Sequence, residues 1–341
     1  MSYKQAIPAI CCVIIIVIAY FDNVFTDISL VTLKPLSMFR SNLSKQRASR
    51  CNYAGFQTLH RRGHRLGNHL FFYAGIMYVS WRTGRHPCIW TNKGAAYRLL
   101  DAVFDLDIEY VDQISLGCPM HLFRQRGVFL YDERIESLIS ISENTSLMVD
   151  GYFCSWKYTH PIATQLRQKL KFRREILEFA VDFLHRNVPV GWNTYTFVRV
   201  GVHVRRGDCL YSRRQKHGCV VADERYFRQA MNYFIELYHR VQFIVASDDI
   251  TWCQKHIKPS MFNKTDVNIT FSVRHNAGHD LAILANCDHT VTTGGSYSWW
   301  AAFLANGNTV YYSMYPRDGS PMLKEGPKSD IYPPDWIGFG D

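Results

Sequence analysis

Apolar and polar positions divide the chain into two regimes. Residues 6–21 are an almost unbroken apolar run, whereas after about residue 50 the apolar positions become periodic. The clearest period lies at Val198, Val200, Val202 and Val204, where β-branched residues alternate as a half-buried strand requires. The chain then switches abruptly to Arg205-Arg206-Gly207-Asp208, where such a strand would end. Beyond it the pattern predicts a helix near Asp223 to Arg240, with Phe227, Ala230, Met231, Phe234 and Leu237 on one face. A strand follows over 241–246 and ends in Ser247-Asp248-Asp249; then come another helix, a short strand near 268–271 and a helix over about 278–286. A strand at 289–292 runs into Thr293-Gly294-Gly295-Ser296, a helix runs from Tyr297 to about Asn306, and a last strand covers 309–312. In the first half, the segment from Arg61 to Asn68 opens a helix reaching Trp81. After Pro161, residues Ile176, Leu177, Ala180, Phe183 and Leu184 recur at helical spacing. Asn187-Val188-Pro189-Val190-Gly191 breaks the pattern and marks a domain boundary. Alternating strands and helices imply parallel sheets covered on both faces, with ligands beyond the carboxyl ends of the strands.

Composition narrows the ligand. The chain has 341 residues, 47% of them hydrophobic, enough for one large or two modest domains. A net charge of +10 suits an anionic ligand. It also suits nucleic acid, but no basic stripe with interleaved aromatics and no nucleic-acid motif occurs, so that partner is not expected. None of the ten cysteines forms a Cys-x-x-Cys pair, which argues against zinc. Eight of them, scattered through the body, fit an oxidising compartment, and Cys209 and Cys219 flank one short loop as a candidate pair.

The apolar run would span about 24 Å as a helix, short of the roughly 30 Å hydrocarbon core but tolerable in thinner secretory membranes. No small-x-small cleavage site follows it, which favours an uncleaved anchor. Four sequons, at Asn42, Asn144, Asn263 and Asn268, all follow the run. The expectation is a type II protein: cytosolic tail 1–5, membrane helix 6–26 in contact with lipid, stem 27–50, and a lumenal body divided into domains 51–188 and 189–341.

Several stretches carry candidate chemistry. Arg205 and Arg206 are planar, permanently charged forks suited to phosphate oxygens, or partners of Asp208 in a loop ion pair. Gly294 and Gly295 allow close approach of backbone to ligand, and Ser296 can cap the helix whose free N–H groups would face a diphosphate. Trp299 and Trp300 read as core. Asp248, with Ser247, either accepts from a ribose hydroxyl or base amine or caps the next helix. The segment with Gly67 and Asn68 either presents N–H groups to an anion or is an ordinary helix start. Asp105-Leu106-Asp107 has metal-chelating spacing but reads better as a solvated turn. Asp280 either contacts an acceptor or favours a helix N-terminus.

The stretch Val200-Gly201-Val202-His203-Val204-Arg205-Arg206-Gly207-Asp208 closely resembles the signature of the α1,2-fucosyltransferases, glycosyltransferase family 11. Its shorter His-x-Arg-Arg-x-Asp form resembles α1,6- and protein O-fucosyltransferases. The segment around Gly67-Asn68 resembles the family's donor-side loop, with His64 and His69 in place of the usual Gly and Gln. Gly295-Ser296-Tyr297-Ser298-Trp299-Trp300 resembles its third motif. The resemblance implies an α/β, GT-B-type architecture of two facing Rossmann-like domains, with the acceptor side on the first, 51–188, and the donor mainly on the second, 189–341. It implies inverting transfer of L-fucose from GDP-β-L-fucose to the 2-hydroxyl of a galactose on a glycan, in the Golgi membrane, with no cofactor and no metal requirement. Arg205 would stabilise the departing phosphate, and His203 and Asp208 are candidates for the base. Arg206, Gly67, Asn68, Ser247, Asp248, Gly295, Ser296, Tyr297 and Ser298 would bind the donor. Two rivals remain, a protein O-fucosyltransferase acting on Ser or Thr and a non-catalytic glycan-binding protein.

Overall fold

The computed structural model describes residues 51–56, 65–90, 99–111, 116–193 and 195–340. The expected membrane helix, the stem, the Asn42 sequon and residues 61–64 lie outside them. Among the described residues no helix is long and apolar enough to cross a membrane.

Two sheets, parallel throughout, form the frame. The first contains β1 (Tyr53–Phe56), β2 (His86–Trp90), β3 (Glu109–Val111), β4 (Met120–Arg124) and β5 (Ser146–Asp150), in the order β3-β2-β1-β5-β4. The second contains β6 (Val198–Val204), β7 (Val241–Ser247), β8 (Val267–Phe271), β9 (His289–Thr292), β10 (Thr309–Tyr312) and β11 (Ile337–Phe339), in the order β11-β10-β9-β6-β7-β8. Each order reverses once, between β1 and β5 in the first sheet and between β6 and β9 in the second. Such switch points open a crevice at the carboxyl ends of the strands. The two-sheet α/β class expected from the sequence is therefore what the chain adopts.

The helices that matter below are α1 (Leu66–Thr83), α2 (Ala163–Lys169), α3 (Arg174–Arg186), α4 (Ser212–His217), α5 (Glu224–Leu237), α6 (Ile250–His256), α7 (Ala277–Ala285) and α8 (Gly295–Ala305). Asp223 caps α5 by accepting the Tyr226 N–H at 3.0 Å, and Asn276 caps α7. As expected, Trp299 and Trp300 are core: their rings lie 4.8 and 5.1 Å from that of Phe71 on α1. The two halves therefore share one apolar core along the α1–α8 contact.

Four expectations change. The central strand β6 is buried from Val200 to Val204, Gly201 and His203 included, because helices cover both faces; it is not half-buried. Residues 309–312 are not the last strand, since β11 pairs beyond them. Helix α8 begins at Gly295, so Ser296 lies inside its first turn and caps nothing. Finally, α3 buries Ile176, Ala180 and Leu184 against Ile244, Ala282 and Ile283 of the second half. Packing on the second half therefore continues on both sides of the break at 187–191.

Among the described residues two disulfides form, Cys51–Cys118 and the expected Cys209–Cys219, while Cys88, Cys154, Cys253 and Cys287 are buried thiols. Asn144 and Asn263 are exposed. Asn268 lies in edge strand β8, and its side-chain oxygen accepts from Thr270 of its own sequon at 3.1 Å.

Candidate active site

The site grows from the β6–β9 switch point. The Arg205 N–H donates to Thr293 Oγ1 at 2.8 Å, which ties the turn after β6 to the turn after β9. Gly294 and Gly295 carry the chain from β9 into α8 with φ of 129° and 82°, a region side chains avoid. A Cβ on Gly295 would stand 2.1 Å from Arg205 Nη1. The glycine therefore lets the guanidinium lie directly against the α8 N-terminus.

Asp208 organises the charge. Its carboxylate meets Arg205 Nη2 at 3.1 Å, Arg65 Nη2 at 3.0 Å and Arg214 Nε at 3.4 Å. Three guanidiniums face one carboxylate, a local excess of positive charge. Burial pushes the Asp208 carboxyl up, but Arg205, then Arg65 and Arg214, outweigh it and hold the group below the usual carboxylate range. Burial likewise opposes the charge on Arg205, yet Tyr315 and Asp208 outweigh it and raise its pKa. The Arg205 side chain is 18% exposed and that of Arg65 67%, so Arg205 carries the less screened charge.

Two helix N-termini converge beside the cluster. A Cβ on Gly67 in the first turn of α1 would lie 2.5 Å from the Tyr297 nitrogen in the first turn of α8. Across that contact the Ser296 hydroxyl donates to Asn68 Oδ1 at 2.7 Å. The first N–H groups of a helix lack intrahelical acceptors and form its positive end. Joined to an arginine excess, they form a positive floor suited to an anion.

The other expected residues are held by partners within the protein. The Arg206 guanidinium pairs with Asp249 at 3.1 Å and stacks over Trp252 at 3.9 Å, so it braces the wall. Asp248 accepts the N–H groups of Arg206 and Gly207 at 2.8 and 3.1 Å and thus fixes the signature turn. The α6 cap is Asp249, which accepts the Trp252 N–H, and Ser247 Oγ accepts from the Asp249 N–H at 2.9 Å. His203 is buried with Nδ1 2.5 Å from Ser298 Oγ, and burial lowers its pKa to about 4. As a base it is weak, and the Ser298 hydroxyl, itself buried, is committed to it. Asp208 is also a poor base while three guanidiniums hold it ionised. The Tyr297 hydroxyl donates to the Ala277 carbonyl at 2.6 Å, leaving its backbone at the site.

Away from the site, the Asp107 side chain is 95% exposed beside Lys169. Among the described residues no group of three or more His, Cys, Asp or Glu is placed to hold a metal ion. Asp280 accepts from the Ser272 hydroxyl at the start of α7. Sequence reasoning missed Arg65 and Arg214. The first directly precedes α1; the second sits in a basic run between Cys209 and Cys219, and that short loop was its only signal.

The chain is 36% identical over 190 residues to galactoside alpha-(1,2)-fucosyltransferase 2 of Sus scrofa, covering 55% of this chain and 54% of that protein. The alignment thus spans about half of that relative. It is 32% identical over 282 residues to galactoside alpha-(1,2)-fucosyltransferase 1 of Mus musculus, covering 81% of this chain and 71% of the other. Among solved structures, NodZ alpha-1,6-fucosyltransferase soaked with GDP-fucose aligns with a TM-score of 0.48 and 14% identity, over 77% of this chain and 96% of that one. The family model of glycosyl transferase family 11 matches residues 125–340. That span takes in the Arg205 turn, Asp208, Arg214 and the glycines before α8, and the chain belongs to glycosyl transferase family 11.

Proposed function

We propose that the protein transfers L-fucose from GDP-β-L-fucose to the 2-hydroxyl of a galactose, with inversion, forming an α1,2 linkage. The observation that carries this reading is the gathering of Arg205, Arg65 and Arg214 around one carboxylate beside two helix N-termini. As the bond from the fucose anomeric carbon to the β-phosphate oxygen breaks, negative charge grows on the diphosphate. Arg205 and the first N–H groups of α8 stand where that charge would be met, and preorganised donors of this kind are often the largest catalytic term. The names of the relatives, galactoside alpha-(1,2)-fucosyltransferases, support both donor and acceptor class.

In this reading the arginines supply the charge that a divalent ion supplies elsewhere, and the donor needs no metal. The apolar run at 6–21, two disulfides and the exposed sequons at Asn144 and Asn263 support a type II anchor with the body in the Golgi lumen. The test is fucose transfer to lactose, with and without EDTA. Turnover should be indifferent to EDTA, and Arg205→Lys should lower kcat by roughly a hundredfold or more, since an ammonium cannot reproduce the fork. Near-normal turnover by a folded Lys variant would overturn the role of Arg205. Activity abolished by EDTA and restored by a divalent ion would overturn the metal-independent reading.

A further inference from the structure

The first sheet has its own switch point, and a cavity of about 210 Å³ opens there. It lies beyond the carboxyl ends of β1, β5 and β4, lined by Phe56, Asp150 and Arg124 from those ends. Phe72 of α1 and Tyr152 complete an aromatic wall: Phe56 and Phe72 stack at 4.6 Å, and Tyr152 stands 5.7 Å from Phe72. Glu325 reaches in from the second half of the chain, its Oε2 accepting the Val128 N–H at 3.3 Å.

Charge here is balanced. Arg124 is paired with Asp150 at 3.0 Å, and Arg126 with Asp132 at 3.0 Å. A phosphate would find no excess of cations, unlike at Asp208. A neutral polyol would find carboxylate oxygens to accept its hydroxyls and aromatic faces for its C–H groups. Galactose suits such a wall, because its axial 4-hydroxyl leaves a continuous C–H face on the other side of the ring. A cavity of about 210 Å³ has room for one pyranose ring. The wall is fixed in advance: Gln125 accepts the N–H groups of Tyr152 and Phe153 at 2.9 Å each and donates to the Leu130 carbonyl at 2.8 Å. Position also fits. Phe72 lies one turn along α1 from Asn68, on the same face and about 6 Å further along the axis. One lining residue of the cavity thus stands a single helical turn from the donor floor.

We infer that this cavity is the acceptor subsite, holding the galactose ring of a β-galactoside with Phe72 and Tyr152 against its C–H face and Asp150 and Glu325 accepting its hydroxyls. The inference rests on the galactoside reading of the donor site, and the test separates the two. With the full chain in detergent, GDP affinity and transfer to phenyl β-D-galactoside are measured for wild type, Glu325→Gln and Tyr152→Ala. Each variant should raise the acceptor KM by about tenfold or more, the usual effect of losing one charged hydrogen bond or one aromatic face. The KM for GDP-fucose and the affinity for GDP should stay within about twofold. Glu325→Gln is nearly isosteric and can be read alone if Tyr152→Ala does not fold. An acceptor KM unchanged in Glu325→Gln and in any folded Tyr152→Ala, while wild type transfers fucose, would overturn the subsite. If wild type transfers to no galactoside, the proposed function fails instead. Saturation-transfer NMR of phenyl β-D-galactoside with GDP present then still reads the cavity: binding that Glu325→Gln weakens supports it, and no binding or unaltered binding sinks it.

Discussion

Gly295→Ala tests the donor floor most directly, because the perturbation can be worked from the backbone. At φ 82° an L side chain is strained, by about 1–2 kcal/mol. The new Cβ would lie 2.1 Å from Arg205 Nη1, 3.2 Å from Cζ and 3.3 Å from Cδ. Ordinary contact between heavy atoms begins near 3.5 Å, so the guanidinium must withdraw by more than about 1 Å. Displacements of that size cost about a hundredfold where geometry matters, and loss of one preorganised donor costs about 2.7–4 kcal/mol. The expected fall in kcat is therefore about 10²–10³. Only the far end of a flexible side chain has to move, so the fold survives with Tm lowered by a few degrees. Gly319→Ala is the control: its φ is 69° and nothing lies within 4 Å of the new Cβ, so it carries the strain without the clash. Initial rates of transfer to lactose at saturating donor, with melting curves for both variants, decide the matter. A Gly295→Ala enzyme that keeps more than a tenth of wild-type kcat, or a Gly319→Ala enzyme that loses as much, refutes the reasoning.

Three further outcomes are expected. His203 has a folded pKa of about 4 against about 6.5 unfolded, so between those values the unfolded chain binds more protons and stability falls as pH drops from about 6.5 to 4; melting curves of His203→Asn should show a shallower slope in that window, and an unchanged slope would refute the assignment. Burial pushes the Asp132 carboxyl up, but hydrogen bonds from Arg134 and Arg126 bring it down to about 2, so its contribution is present above about 3.9 and lost as pH falls through about 2; Asp132→Asn should remove that acid dependence of Tm. Replacing Cys209 and Cys219 together by Ser should cost about 2–3 kcal/mol, as expected for a ten-residue loop, and should weaken GDP binding because Arg214 rides on that loop; a titration with wild-type GDP affinity would show that the loop does not position Arg214.

The sequence carried the central part of this site because its signals were local. Alternating valines set β6, and the abrupt change to Arg205-Arg206-Gly207-Asp208 marked the end of the strand. What it could not carry was allegiance between distant pieces. Arg65 reaches Asp208 from the cap before α1 and Arg214 from the short helix α4, both outside any periodic run, so neither stood out. The amphipathic face of α3 was legible from Ile176, Ala180 and Leu184, but not the sheet it would cover. Arg206 shows the limit most plainly: it sits in the signature beside Arg205, yet the partners that turn it to the wall, Asp249 and Trp252, lie beyond another strand. Strand β11 was missed because three residues centred on Gly338 give no run of β-formers.

The carboxylate of Asp208 explains how such a cluster persists before any ligand arrives. Two unit charges 4 Å apart repel by about 4 kcal/mol at an effective dielectric constant of 20, so three guanidiniums would not stay together unaided. A single carboxylate is enough to hold them and too little to neutralise them. In the proposed reading, a diphosphate entering beside it meets cations already in position, and little reorganisation is left for the transition state. At the first sheet's switch point the cations of the wall are matched by Asp150 and Asp132. The same architectural feature thus offers an anion floor in one half and a neutral, hydroxyl-accepting cavity in the other. In the proposed reading, that difference in charge balance keeps a nucleotide and a neutral sugar from competing for one crevice.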